Sequence, residues 1–224
     1  MTQKAIDDFK KALGEKDFFQ YLIQQYQSGE LSEFLPEFVQ LLNTPELDEN
    51  NEKTSVGLKT IKLLKIADNL DEKSKYAILL HDIGKIKTSP DLLPRHSLIH
   101  GQRAALIIKQ ISERLNMSQT DTDFAIVVSD IASKAPFLKN MDNVSLFELY
   151  NRIPVQNFEQ LLQCCQSCTY DLHAANKRPK TKQQASIEKG YARLREMHRN
   201  ILSDHRDIWK DVMQKRKNGP DKIS

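Results

Sequence analysis

Apolar residues recur at intervals of three and four along almost the whole chain. Examples are Leu63, Ile66 and Leu70; Ala104, Ile107, Ile108, Ile111 and Leu115; and Phe158, Leu161, Leu162 and Cys165. That spacing follows the 3.6-residue turn of an α-helix and gives each segment one apolar stripe. No segment shows the alternation of a half-buried strand. The chain therefore reads as all-α, with helices over 3–12, 16–28, 32–43, 55–69, 72–83, 97–116, 121–133, 144–150, 155–171 and 184–217. Pro36 fits the first turn of its helix, while "NTPELDENNEK" and "KTSPDLLPRH" read as loops. In "DFFQYLIQQYQ", Phe18, Tyr21 and Ile23 read as a packed stripe rather than a base-stacking surface.

A length of 224 residues and a hydrophobic content of 39% suffice for a packed core. The longest apolar runs, "YAILL" and "FAIVV", fall far short of the roughly 20 residues of a membrane span. The charged start "MTQKAIDDFKKALGEKDFF" has no signal-peptide core, so a cytoplasmic protein without membrane partners is expected. All three cysteines, Cys164, Cys165 and Cys168, lie in "CCQSC" and read as reduced core thiols on a packed helix. Charge is unevenly spread. Residues 172–224 carry 14 Lys and Arg against 6 Asp and Glu, while residues 1–171 carry 19 against 24. A basic segment of this kind suits phosphate contacts, with Arg178, Lys180, Lys182, Arg195, Arg199 and Arg206 as candidate RNA-binding residues, although a solvated basic helix has the same composition.

Chemistry concentrates in "AILLHDIGKIKTSPDLLPRHSLIHGQ". Imidazole beside carboxylate can hold one divalent cation or bridge two. Leu79 and Leu80 belong to a core face, so His81 and Asp82 point outward from the helix end, Gly84 lets the chain turn, and Lys85 is placed to neutralise a phosphate. His96 and His100, four residues apart, share a face if their helix starts early enough. Polar residues that merely cap helix ends are the plain alternative. Asp121 and Asp123 in "SQTDTDFAIVV" suit the start of an apolar helix.

"HDIGK" resembles the signature of the HD phosphohydrolase superfamily. "LPRHSLIHGQRAALIIKQISERLNMS" resembles the matching stretch in the C-terminal HD domain of bacterial multifunctional CCA-adding tRNA nucleotidyltransferases. "FFQYLIQQYQSGELSEFLPEFVQLLNTP", "NFEQLLQCCQSC" and "IWKDVMQKRKNGPDKIS" extend the likeness. The resemblance implies an all-α helical HD-domain bundle with a basic C-terminal helix. N-terminal helices over 1–54 lead into an HD-like domain over 55–172, followed by a basic linker and helix over 173–224. It implies a metal-dependent phosphohydrolase of 2′,3′-cyclic phosphodiesterase, 2′-nucleotidase or phosphatase type, with Mn, Ni, Mg or Zn as the metal, His81, Asp82, His96 and His100 as its ligands, and Asp82 and Lys85 as catalytic residues. The nucleotidyltransferase half is expected to be missing, because the chain contains no Gly-Ser to open its Asp-x-Asp strand.

Four positions depart from the superfamily pattern. Lys59 stands where the first His is expected, Ala132 and Lys134 where "DIASK" replaces a Tyr-His-Asn-His run, and Cys168 at the final Asp. An ammonium cannot ligate a cation and is repelled by one. The expectation is a degenerate site without a cofactor, in which Lys59 pairs with Asp82, within a module that binds tRNA, another RNA or a separate nucleotidyltransferase subunit. The active phosphohydrolase is the alternative.

Overall fold

The computed structural model describes residues 3–47, 53–87, 97–169 and 182–203. Among them are eleven α-helices, α1 Gln3–Gly14, α2 Phe18–Ser28, α3 Leu31–Phe34, α4 Pro36–Leu42, α5 Val56–Ile66, α6 Glu72–Leu80, α7 Ser97–Arg114, α8 Gln119–Lys134, α9 Asn143–Tyr150, α10 Phe158–Cys168 and α11 Lys182–Leu202. Strands β1 Pro45–Leu47 and β2 Lys53–Ser55 form an antiparallel pair, with Glu46 opposite Thr54. The all-α reading holds, with this short hairpin as its exception. Strands of three residues are too short to show alternation in sequence. No helix among the described residues is long and apolar enough to cross a membrane.

The chain forms two compact units, Met1–Lys134 with Phe158–Arg178, and Ala135–Asn157 with Pro179–Ser224. Segment 55–172 therefore contributes to both.

Polar caps set where three helices of the first unit, α5, α6 and α8, begin. Ser55 Oγ accepts from Leu58 N (3.2 Å) at α5, Asp71 Oδ1 from Ser74 N (2.9 Å) at α6, and Ser118 Oγ from Asp121 N (3.1 Å) at α8. Asp121 Oδ2 in turn accepts from Ser118 Oγ at 2.6 Å, and Asp123 Oδ1 accepts from Gln119 Nε2 at 2.8 Å, so both carboxylates serve the start of α8. The helix expected over 32–43 is divided at Leu35, which takes φ −137° because the following proline disfavours helical geometry; Pro36 then opens α4.

Helix α6 is the centre of this unit. Tyr76 through Leu80 are fully buried, and α6 packs against α1, α5, α8 and α10. Its buried polar groups are matched: Tyr76 Oη shares a hydrogen bond with Ser112 Oγ at 2.8 Å, and Lys75 Nζ donates to the Glu15 carbonyl at 2.6 Å. Phe9 packs on Phe18 and Phe34 at centroid distances of 5.8 and 5.7 Å. The expected stripes on α7 and α10 are buried as read, but two others are displaced. On α2 the buried pair is Phe18 and Leu22, with Tyr21 and Ile23 half-buried; on α5, Leu63, Leu64 and Ala67 face inward while Ile66 is exposed.

In the second unit, Ile187, Tyr191, Leu194 and Met197 form the buried face of α11. Gly190 allows close approach, since a Cβ there would lie 2.6 Å from Leu138 Cβ. Arg193 Nη1 donates to the carbonyls of Leu138, Lys139 and Met141 at 2.8 to 2.9 Å, and Nη2 to Asn143 Oδ1 at 2.9 Å. Arg193 therefore braces the turn before α9. Ile201, one turn beyond Met197, is half-buried.

Gly84 connects the fold to the site. It lies in the 3₁₀ turn Ile83–Lys87, and a Cβ there would come 2.2 Å from the His100 carbonyl of α7. The turn expected from sequence is there, but the φ of Gly84 is not positive, so close packing is what requires a glycine. Gly84→Ala should lower stability by about 1–3 kcal/mol through overpacking against a backbone that cannot swing away. Urea unfolding checks this, and an unchanged midpoint would contradict it.

Candidate functional site

The His-Asp pair is held by the end of the buried helix α6. His81 follows its last residue, and its carbonyl accepts from Ser129 Oγ of α8 at 2.7 Å. The His81 ring is buried rather than directed outward. Its Nδ1 lies 2.7 Å from the Ile78 carbonyl, which can only accept, so Nδ1 carries the hydrogen. Nε2 faces Asp82 Oδ2 at 3.4 Å.

Asp82 is matched locally. Lys85 Nζ donates to its Oδ2 at 2.7 Å, from the next turn of the chain. The same ammonium donates to Glu46 Oε1 of β1 at 3.0 Å, and Glu46 Oε2 lies 3.0 Å from Lys59 Nζ of α5. Lys59 thus pairs with Glu46, not with Asp82 as expected, and the charges run Lys59, Glu46, Lys85, Asp82, with the His81 ring beside the last. Lys85 is likewise committed to two carboxylates rather than left available for a phosphate. Burial alone would push the Asp82 carboxyl up, but the Lys85 ammonium and His81 overcome it and hold the group well below its usual 3.8. Burial would depress the Lys85 ammonium, yet Asp82 and Glu46 raise it above its ordinary range.

The other substituted positions lie on α8 and α10. Lys134 Nζ donates to Asp130 Oδ2 of the same helix at 2.7 Å, and Ala132 is buried without a donor atom. Cys168 is half-buried; burial, then its neighbours Cys165 and Cys164, then Asp82, push its thiol well above the usual range. The field of Asp82 therefore reaches the end of α10. A thiol raised in this way stays protonated at neutral pH and is a poor nucleophile. Cys164, buried, is pushed up to about 11 by desolvation, as expected of a core thiol.

His100 is buried on α7, and its carbonyl abuts Gly84. His96 lies outside the described residues, so the expected four-ligand set of His81, Asp82, His96 and His100 is placed only in part. Among the described residues no three His, Cys, Asp or Glu side chains are grouped to hold a metal ion.

The divalent cation implied by the resemblance does not fit the described donors as they stand. It would share the Asp82 carboxylate with an ammonium 2.7 Å away, and the nearby Glu46 is taken by two further N–H···O contacts. Glu46, Asp82 and Asp130 are matched by Lys59, Lys85 and Lys134.

Sequence reasoning missed Glu46 and Asp130. The i,i+4 spacing of Asp130 and Lys134 was a usable signal. For Glu46, 39 residues from Lys85, there was none.

Of the candidate RNA-binding residues, Lys182 and Arg199 are exposed on α11 and Arg195 is half-buried there; Arg178, Lys180 and Arg206 lie outside the described residues.

No family model matches the chain. It is similar to the Multifunctional CCA protein of Tolumonas auensis, at 27% identity over 173 residues, which is 75% of this chain and 41% of that protein. The Multifunctional CCA protein of Nitrosococcus oceani is 27% identical over 169 residues, covering 71% and 41%. That of Acinetobacter baylyi is 26% identical over 171 residues, covering 74% and 41%. The chain thus spans about two fifths of the length of these relatives, and its relation to them is confined to that part.

The folded Asp82 carboxyl titrates below its unfolded value near 3.8, so its contribution to stability is full above that value and is lost as the pH falls through the lower folded one. Asp82→Asn should therefore destabilise the protein by roughly 2 kcal/mol at pH 7, with the difference from wild type narrowing below about pH 4. Unfolding curves across pH check this. A difference that does not vary with pH would show that Asp82 contributes shape rather than charge.

Proposed function

We propose that this chain is a degenerate HD-type domain, related to part of the Multifunctional CCA proteins, that binds RNA or a partner protein without a metal cofactor and with little or no phosphohydrolase activity. One observation carries the reading: the carboxylate of the His-Asp pair is neutralised by Lys85, while the residue in place of the first His, Lys59, is neutralised by Glu46. Lysine has taken the electrostatic place that a cation would hold. The pair is then a framework element joining α6 to the hairpin.

The binding surface in this reading is the basic face of α11, with Lys182, Arg195 and Arg199 and the Arg178, Lys180 and Arg206 positions of the flanking sequence. tRNA is the RNA of choice because the relatives carry CCA in their name. A separate nucleotidyltransferase subunit is the protein partner to test by co-purification.

A second reading, the metal-dependent phosphohydrolase, draws on His81. Its Nδ1 hydrogen is engaged by a backbone carbonyl, which leaves Nε2 to act as the ligand atom when the ring is neutral, an arrangement common in metal-ligating histidines.

Binding to a tRNA transcript, measured at several salt concentrations, tests the proposal. Replacing Lys182, Arg195 and Arg199 together by Ala should weaken binding uniformly across sequences and reduce the log–log salt slope by about 2–3. Arg193→Ala should instead lower stability, since its guanidinium is spent on carbonyls. An unchanged slope in the triple variant would remove α11 from the account. Hydrolysis of a 2′,3′-cyclic phosphate with added Mn, Ni, Mg or Zn, abolished by Asp82→Ala, would establish the second reading.

A further inference from the structure

We infer that Lys59 and Lys85 form a seat for a small oxyanion carrying one negative charge, and that Glu46 fills this seat as an internal plug. Three elements distant in sequence meet there: Lys59 from α5, Lys85 from the 3₁₀ turn after α6, and Glu46 from β1. Each Glu46 oxygen takes one ammonium, Oε1 from Lys85 and Oε2 from Lys59, both at 3.0 Å. Two oxygens on one centre, each facing a separate cation, is also how a phosphate or carboxylate ligand would be held.

Charge sets the valence of the ligand. With Glu46 in place, Lys59, Lys85, Asp82 and Glu46 are balanced. With Glu46 withdrawn, Lys85 keeps Asp82 at 2.7 Å, while Lys59 loses its ion-pair partner among the described residues, leaving one net positive charge. A monoanion restores the balance. A dianion overfills the seat and meets the field of Asp82.

Access is open. The side chains of Lys59, Lys85 and Glu46 retain 28%, 17% and 19% of their exposure, so the plug is reached by solvent rather than sealed. Withdrawal needs only a rotation of the Glu46 side chain. The two short strands, paired at Pro45–Ser55, Glu46–Thr54 and Leu47–Lys53, can stay in register.

The seat rests on the proposed neutralisation of Asp82 by Lys85 rather than by a metal. Chelator-treated protein of measured metal content is therefore used, so that a bound metal and an unfilled seat give separate results. Dimethyl phosphate and acetate, both monoanions, are titrated calorimetrically into wild type, Glu46→Gln and Glu46→Gln/Lys59→Gln, with sulfate as the dianion. Removing an internal competitor tightens apparent binding by the inverse of the fraction of time the site stands open, so with Glu46 seated about nine tenths of the time Glu46→Gln should bind one or both monoanions about tenfold more tightly than wild type. The double variant should lose that gain, and sulfate should show much less. Whichever monoanion gains more identifies the source as phosphodiester or carboxylate. If Glu46→Gln fails to fold, Glu46→Asp, too short to span both lysines, serves with the same expected direction. Equal affinities in wild type and the Glu46 variants, a gain that survives loss of Lys59, or an equal gain with sulfate would overturn the inference.

Discussion

The Asp82 carboxylate is balanced by a lysine three residues along the chain, and much of the surrounding geometry follows from that pair. A carboxylate just past a helix whose last five residues are fully buried needs a counter-charge, because desolvation otherwise drives it to its neutral form. Lys85 supplies one at 2.7 Å. Having been drawn in, the lysine needs more than one acceptor, and Glu46 provides the second. Glu46 in turn accepts Lys59, so one charge requirement propagates from α6 through the hairpin to α5.

Backbone packing keeps this arrangement in register. Gly84 brings the turn that carries Lys85 against the His100 carbonyl, and Ser129 holds the His81 carbonyl to α8. The two residues between the His-Asp pair and its lysine are Ile83, fully buried, and Gly84, which has no room for a side chain. The lysine is positioned by packing on both sides, not by the ion pair alone. Half-buried pairs of this kind add little net stability when intact and are costly when one member is removed. Their effect is to specify an arrangement.

The sequence was most legible where apolar spacing was long and uninterrupted, as on α7 and α10, whose stripes are buried as read. It was less legible on α5, where Leu63 and Ile66 suggested one face and the packing used Leu63, Leu64 and Ala67, because leucines clustered over consecutive positions leave the phase of a helix ambiguous. The division of α3 from α4 was written in Pro36, but the hairpin was hidden in a stretch rich in turn residues. At the site, the unusual position of Lys59 emerged only through likeness to a family. Its partner did not, because Glu46 is joined to Lys59 and Lys85 by the path of the chain rather than by any helical or strand period. Gly84 was read as the residue that lets the chain turn, and the close approach of α7 that it also permits was not legible: sequence alone does not distinguish a glycine that turns from a glycine against which another helix packs.

The central claim is that lysine holds the place of a cation beside Asp82. Its most direct test is the metal content of the purified protein after equilibration with Mn, Ni, Zn and Mg and removal of free ions, measured by elemental mass spectrometry on wild type and Asp82→Ala. The account predicts far less than one equivalent of any metal and no difference between the two proteins. One equivalent in wild type that disappears in Asp82→Ala would contradict it.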